Sequence, residues 1–111
     1  MSYDLVDSTR VLASMGAERY SELLAGYHKR CADIVVRHGG TAEDARGDDG
    51  IMCYFGLRVA TEGSAEQCVL AALEIQAAVR SLEVETRIGI ATGDVAVRDS
   101  FPHEASVRLA R

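Results

Sequence analysis

From Gly16 to Gly39, apolar residues recur every three or four positions, so any fold of this chain must cover one long apolar face. The apolar positions of this stretch are Tyr20, Leu23, Leu24, Tyr27, Cys31, Ile34 and Val35. Their spacing predicts a single amphipathic helix over about 17–38. Two consecutive glycines, Gly39 and Gly40, are expected to end it, because glycine adopts the backbone conformations of a helix C-terminus at little cost.

Two other regions have the patterns of strands joined by turns. The apolar run 51–55 follows a turn that contains Gly47 and Gly50, and a strand before this turn would pair with it as a hairpin. Residues 84–90 alternate between apolar and polar side chains, and 95–97 is expected to pair back on them after a turn. Two hairpins are therefore predicted.

Shorter segments complete the order of elements. Residues 3–6 are typical of the end of a strand, and the N-cap residue types at 7–9 predict a short helix as far as Gly16. Residues 64–67 have the spacing of a capping box, with Ser64 as the N-cap, and predict a helix to about residue 81. A last helix is predicted over 104–111. This order predicts an α+β fold with an antiparallel or mixed sheet and helices packed on one face.

Composition limits the location and the partners. The 111 residues correspond to one domain over 1–111, and 48% hydrophobic with 26% charged residues is a globular balance. No apolar run is long enough to span a membrane and the first residues lack signal-peptide features, so a cytoplasmic location is expected. The net charge of −5 argues against nucleic acid as a partner. It does not argue against a nucleotide, because metal ions can bridge two negative partners.

Cysteine and histidine give no indication of a metal or redox centre. The three cysteines lack a CxxC spacing and lie within apolar patterns, so we expect buried free thiols at Cys31, Cys53 and Cys68. The three histidines are scattered along the chain, and we expect surface positions without a catalytic role for His28, His38 and His103.

Carboxylates at two predicted strand ends form the best candidate for a site. Asp4 and Asp7 lie at the end of the first strand, and Asp48 and Asp49 lie in the turn before 51–55. The sequence between them is long enough for the long helix to cross over and bring the turn beside the first strand. Carboxylates from adjacent strands suit Mg²⁺ or Mn²⁺, since these ions prefer oxygen ligands, and such ions hold polyphosphates.

The start of the first helix would complement this acidic site. Free backbone N–H groups of Val6, Asp7, Ser8 and Thr9 would bind terminal phosphates, because a helix N-terminus favours anions. The alternative interpretation is structural: aspartate is a common turn residue and N-cap, which would account for Asp7 and for the acidic turn without any metal.

Six segments resemble, in order and over nearly the whole chain, motifs of class III adenylate/guanylate cyclase catalytic domains. YDLVDSTR is similar to FxDIxGST, IVVRHGG to the end of the family's long helix, GDDGIMCYFG to GDGxxAxFG, AEQCVLAALEIQAAV to AExAvxAALexQxAl, TRIGIATGDVAV to xRIGIxTGxVvv, and HEASVRLAR to GExxNxAAR. The resemblance implies a ferredoxin-like, cyclase-type fold. The first strand is very short and the chain stops inside a predicted helix, so we expect an incomplete domain.

The resemblance also implies a site for two divalent ions, Mg²⁺ or Mn²⁺, and a nucleoside triphosphate. The family's metal aspartates correspond to Asp4 and Asp49, and Leu5 would add its backbone carbonyl. The base-selecting lysine corresponds to Ala45, which cannot hydrogen-bond a purine, although its neighbour Arg46 has donors. The partner base-selecting position corresponds to Ser100, which keeps a hydroxyl group.

The residues that the family uses at the transition state are only partly present. The asparagine corresponds to Val107, which cannot donate a hydrogen bond, whereas the arginine is present as Arg111. The family shares each active site across a dimer, so the resemblance implies a homodimer or pairing with another cyclase domain.

Three functions stay open at this point. The first is a cyclase that converts ATP or GTP to a 3′,5′-cyclic nucleotide and pyrophosphate by two-metal catalysis, for intracellular signalling. The second is a degenerate cyclase-like domain with a regulatory, nucleotide-binding or dimerisation role and little turnover. The third is a phospho-acceptor receiver domain, although the two predicted hairpins count against its regular alternation of strand and helix.

Overall fold

The computed structural model describes residues 1–44, 50–56, 63–93, 97–98 and 101–102, the last two pairs by their backbone. Its elements are β1 (Ser2–Leu5), α1 (Ser8–Met15), α2 (Ala17–Arg37), β2 (Gly40–Ala42), β3 (Ile51–Phe55), α3 (Ser64–Ala78) with a following 3₁₀ turn (Val79–Leu82), β4 (Thr86–Gly89), β5 (Val97–Arg98) and β6 (Phe101–Pro102). Within these residues, no helix combines the length and the apolar character needed to cross a bilayer.

Four strands form an antiparallel sheet in the order β2-β3-β1-β4. Helices α1 and α2 connect β1 to β2, and α3 connects β3 to β4, so each helical connection skips one strand of the sheet. This is the ferredoxin-like arrangement of two interlocked β-α-β units. The predicted α+β fold is confirmed, and the antiparallel sheet excludes the parallel architecture of a receiver domain.

The apolar face of α2 lies in the core, as its spacing predicts. Its buried residues are Leu24, Tyr27, His28, Cys31, Ile34 and Val35. They pack with Cys68, Ala71, Ala72 and Ile75 of α3 and with one face of the sheet. Gly39 follows the helix with φ +86°, a left-handed conformation that glycine adopts without strain.

Alternation along the strands gives the sheet two different faces. Tyr3 and Leu5 of β1 are 2% and 1% exposed and lie, with Ile51 and Cys53 of β3, under the helices, on what we call the covered face. Ser2, Asp4, Met52 and Arg87 lie on the opposite side, the open face, because neighbouring strands pair Ser2 with Met52 and Asp4 with Arg87.

Several local predictions are corrected by the structure. Gly63 is the N-cap of α3, so Ser64 is the first helical residue, and the helix gives way to the 3₁₀ turn after Ala78. Val97 pairs with Pro102 in a separate two-stranded sheet, whereas 95–97 was expected to pair with 84–90; residues 95 and 96 lie outside the described ones. The predicted helix over 104–111 also lies outside them.

The prediction of surface histidines is wrong for His28 and lies outside the described residues for His103, whereas the prediction of buried free cysteines is confirmed. His28 is only 8% exposed, because its helix face packs toward the sheet, where its ring lies 5.3 Å from Tyr27 and 6.1 Å from Tyr3 between centroids. All three cysteines are buried and unpaired with one another, and burial raises the pKa of the Cys31 and Cys53 thiols to about 12. These thiols therefore stay protonated near neutral pH.

Candidate metal and phosphate site

Asp4 is the centre of the candidate site on the open face. It lies between the buried residues Tyr3 and Leu5, so the strand alternation directs its side chain away from the core. Arg87 of β4 lies directly opposite, and its guanidinium holds both carboxylate oxygens, with Nε donating to Oδ1 at 3.1 Å and Nη2 donating to Oδ2 at 3.3 Å. The Asp4 carboxylate is thus already the acceptor of a cation in a bidentate geometry.

The backbone of Asp4 is fixed from inside the protein. The Thr86 hydroxyl donates to the Asp4 carbonyl at 3.1 Å, so the Tyr27 hydroxyl, 2.7 Å from Thr86 Oγ1, is the donor of that second bond. Tyr27 is fully buried in α2. A hydrogen-bond chain therefore runs from the helix layer through the sheet to the residue that carries the site.

The mouth of the turn before β3 lies beside Asp4. Because Tyr3 pairs with Ile51, the preceding Gly50 is opposite Asp4, and a Cβ atom at Gly50 would lie 3.7 Å from the Asp4 Cβ. The expected crossover is present for the described residues, since it brings Gly50 and β3 beside the first strand. Asp48 and Asp49 lie outside the described residues, so a carboxylate from Asp49 in the same site stays a prediction.

The segment between β1 and α1 turns sharply at Asp7. This residue has φ 54° and ψ 43°, a left-handed conformation that aspartate tolerates better than most residues. It occupies the N-cap position of α1, as predicted, but its side chain makes no capping hydrogen bond. The Asp7 carbonyl accepts the Val11 N–H at 3.0 Å and closes the first helical turn.

One of the four predicted phosphate-binding N–H groups is already used. The Val6 N–H donates to the Glu85 carbonyl at 3.0 Å, which extends the pairing of β1 with the segment before β4. The N–H groups of Asp7, Ser8 and Thr9 belong to the first turn, where an α-helix has no intrahelical acceptor for them. An anion at this helix start would therefore bind from Asp7 onward.

An open groove of about 540 Å³ lies over this part of the sheet. Asp4, Arg87 and Glu43 supply its charged groups, and Gly50 and Gly89 are also among its lining residues. The groove follows β1 beside the first residues of β3 and the last residues of β4, and it is open to solvent. Its volume is within the range of small-molecule sites, so a phosphorylated small molecule would fit.

The donor set of the groove partly fits a hard divalent ion. Asp4 supplies a carboxylate that already binds a cation, and oxygen is the ligand atom that Mg²⁺ and Mn²⁺ prefer. Among the residues that the structure describes, however, no three acidic, cysteine or histidine side chains come together. Further ligation by Asp49, which lies outside the described residues, or by the Leu5 carbonyl stays a prediction.

The remaining predicted site residues lie outside the described part of the chain. They are Ala45 and Arg46 for the base, Ser100 for the partner base position, Val107 for the altered transition-state position and Arg111 for catalysis. Their roles stay predictions.

Sequence reasoning missed Arg87, Thr86 and Tyr27. The alternation in 84–90 separates Thr86 from Arg87 and assigns Arg87 to the polar face. It does not say which residue of another strand lies opposite, because that depends on the register of β1 and β4.

Solved structures with this fold include several cyclases. The chain superimposes on the adenylyl cyclase CyaB from P. aeruginosa with a TM-score of 0.79 and 22% identity, covering 98% of this chain and 66% of that one. For the guanylyl cyclase Cya2 the TM-score is 0.75 at 23% identity, over 96% of this chain and 63% of that one. For the guanylate cyclase domain of RhGC from Catenaria anguillulae, solved in complex with GTP, the TM-score is 0.70 at 19% identity, over 92% of this chain and 60% of that one.

Comparison of the amino-acid sequence with known proteins identifies one relative and no matching family model. The uncharacterized protein R02095 of Rhizobium meliloti (strain 1021) is 27% identical over 99 residues, which is 83% of this chain and 10% of that protein. No family model matches the sequence. The chain spans less than two thirds of each of these proteins. Because three cyclase structures cover nearly all of it at TM-scores of 0.70 to 0.79, the chain adopts the fold of adenylyl and guanylyl cyclase catalytic domains.

Proposed function

We propose that this chain is a nucleotide cyclase domain that binds a nucleoside triphosphate, ATP or GTP, with Mg²⁺ or Mn²⁺ on the open face of its sheet. The observation that carries the proposal is the position of Asp4. It lies on a solvent-facing groove of a cyclase-type fold, its carboxylate is already paired with a cation, and the N-terminus of α1 follows directly in the chain.

Each part of the groove has a separate role in this proposal. Asp4 and Asp49 bind the metal ions through their carboxylates, and Leu5 adds its carbonyl oxygen. The N–H groups of Asp7, Ser8 and Thr9 bind the terminal phosphates, since a helix start favours negative charge. Two divalent ions, when bound, supply activation of the ribose 3′-oxygen and neutralise the phosphates.

The groups that would complete catalysis are proposed from the resemblance alone. Arg111 stabilises the charge that develops at the reacting phosphorus, and Arg46 and Ser100 contact the base beside Ala45. A second cyclase-type domain, from another copy of this chain or a different protein, supplies them across a shared site. Sedimentation of the chain with and without Mn²⁺–ATP tests pairing between two copies of this chain, and a monomer under both conditions would contradict a homodimer and leave pairing with a different protein.

A direct test compares Asp4→Asn with Asp33→Asn. Asp33 is an exposed aspartate on α2 that pairs with Lys29, so its variant removes the same charge away from the groove. Replacing a residue that only orients a metal ligand costs about 10–100-fold in metal affinity. Asp4 is proposed to bind the metal directly, so Asp4→Asn should weaken Mn²⁺–ATP binding by about 100-fold, the upper end of this range. Calorimetric titration measures both variants. Equal affinity of Asp4→Asn and wild type would remove Asp4 from the site.

The second candidate function is a cyclase-like domain that binds nucleotide with little turnover. Val107 favours it, because the loss of one preorganised transition-state donor costs about 10²–10³ in turnover. Incubation with Mn²⁺ and ATP or GTP, followed by chromatography for cyclic nucleotide, separates the two functions. Product formed at about 1 s⁻¹ or faster supports the enzyme, whereas nucleotide binding without product supports the second function.

A further inference from the structure

We propose that Arg87 is an internal counter-ion of Asp4, and that a divalent ion must displace its guanidinium before it can bind. This inference rests on the proposed function in one respect, the assignment of Asp4 as a metal ligand. It adds a regulatory property of that site: in the absence of nucleotide, the domain competes with its own metal ions for Asp4.

The geometry of the pair makes simultaneous binding unfavourable. Arg87 donates from Nε to Oδ1 at 3.1 Å and from Nη2 to Oδ2 at 3.3 Å, so both carboxylate oxygens accept a hydrogen bond. A divalent ion would use lone pairs of the same oxygens at about 2.0–2.6 Å. With both cations present, a double and a single positive charge would lie within a few ångströms of each other.

The pair is accessible enough to be displaced. The Asp4 side chain is 38% exposed and the Arg87 side chain is 68% exposed, so water replaces the lost hydrogen bonds of the guanidinium. Exposed ion pairs of this kind contribute little to stability, which is why the competition should change metal affinity by a modest factor and leave the fold intact.

Asp4 does not need Arg87 to keep its backbone in place. The Thr86 hydroxyl holds the Asp4 carbonyl, and β1 pairs with β4 over the four residues Ser2–Leu5. This separates the proposal from a positioning role, in which Arg87 would orient Asp4 for the metal. Competition predicts that removing Arg87 tightens metal binding, and positioning predicts that it weakens it.

The test measures Mn²⁺ binding without nucleotide by the electron paramagnetic resonance signal of free Mn²⁺. Arg87→Met should tighten binding by about three- to tenfold, the range expected when an exposed pair and its charge are removed. Arg37→Met is the matched control, because Arg37 is also an exposed arginine paired with a carboxylate, Glu74, on the helix layer. The Mn²⁺ affinity of Arg37→Met should match that of wild type within about twofold, because exposed charges have small effects.

Arg87→Lys distinguishes direct pairing from a general effect of charge. Lysine keeps the charge but lacks the two-pronged donor, so its affinity should lie between those of wild type and Arg87→Met. If Arg87→Lys equals wild type while Arg87→Met binds more tightly, the effect is general and direct competition is wrong. Weaker or unchanged binding in Arg87→Met overturns the proposal. Circular dichroism melting confirms that each variant is folded, and Arg87→Lys carries the test if Arg87→Met is not.

Asp4→Asn separates this proposal from the proposed function. If wild type and Asp4→Asn bind Mn²⁺ equally, Asp4 is not a ligand and both fail. If Asp4→Asn abolishes binding but Arg87→Met does not tighten it, the proposed site survives and the competition fails. A second readout uses the ¹⁵N NMR signal of Arg87 Nε, assigned by its loss in Arg87→Lys. It should move as diamagnetic Mg²⁺ is added, and an Arg87 signal that stays fixed while Mg²⁺ binds would overturn the competition.

Discussion

On the covered face of the sheet, Tyr3, Leu5 and Cys53 pack beneath two helices, and on the open face Asp4 and Arg87 meet in contact with solvent. The same four residues of β1 supply both environments by strict alternation. The covered face depends on close packing and the exclusion of water, so substitutions there should change the free energy of unfolding. The open face is defined by charge and register, so its changes should appear in ligand binding.

The largest effect on stability should come from a truncation in the core under the covered face. Ile75 of α3 is fully buried, and Ile75→Ala should lower the free energy of unfolding by about 2–5 kcal/mol through lost transfer energy and a cavity. Urea denaturation measures the change. Leu73→Ala, on the same helix but 59% exposed, should stay within about 0.5 kcal/mol of wild type. Equal losses in both variants would contradict the core packing described here.

The next largest effect is expected at Gly40, the first residue of β2, where the strand lies close to the helix layer. A Cβ atom at Gly40 would lie 2.7 Å from Phe55 Cε2 and 2.8 Å from Val35 Cγ1, so Gly40→Ala should destabilise by about 1–3 kcal/mol. Gly26, within α2, has open space around its Cα. Gly26→Ala should instead stabilise by about 0.5–1 kcal/mol, because alanine favours a helix. Thermal unfolding of both variants gives the two signs, and the same sign for both would contradict this account.

The parts of the fold that the sequence predicts well are those with repeating local patterns. The spacing from Tyr20 to Val35 predicts α2, and the apolar run 51–55 predicts β3, because burial on one face leaves a direct mark on the sequence. The helix start at 64–67 is displaced by one residue, since Gly63 takes the N-cap position and the residue pattern does not distinguish the two.

The contacts of the candidate site are harder to predict. The place of Asp4 at a strand end is visible in the sequence and indicates a candidate ligand. Its partner Arg87 lies on a strand more than eighty residues later, and no local pattern predicts the register between the two strands. His28 is buried for a similar reason: the position of Tyr3 on another strand, and not the polarity of histidine, decides its surroundings.

The hydrogen-bond chain from Tyr27 through Thr86 to the Asp4 carbonyl can be interrupted by removing a single oxygen atom. Tyr27→Phe removes the hydroxyl that donates to Thr86 and should cost about 0.5–1.5 kcal/mol, the usual net contribution of one hydrogen bond. Combining it with Thr86→Val in a double-mutant cycle, followed by urea denaturation, isolates the coupling of the pair. Additive losses would show that the chain from α2 to the Asp4 carbonyl does not act as a unit.

The smallest effect concerns an ion pair on the helix layer, away from both faces of the sheet. Hydrogen bonds from His38 at 2.9 Å and from Arg37 lower the pKa of Glu74 from its ordinary value of 4.5. The unfolded chain therefore takes up a proton at this residue at a higher pH than the folded protein does. The stability that Glu74 contributes is complete above about pH 4.5 and falls as the pH decreases through the lower, folded-state pKa.

Glu74→Gln should remove this pH dependence. Chemical denaturation from pH 6 to pH 3 should show wild type more stable than Glu74→Gln at the upper end, with the difference shrinking below about pH 4.5. Adding 1 M NaCl should reduce the difference, because salt screens exposed charges strongly at that concentration. Parallel profiles for the two proteins would show that the pairing of Glu74 with Arg37 and His38 contributes nothing measurable.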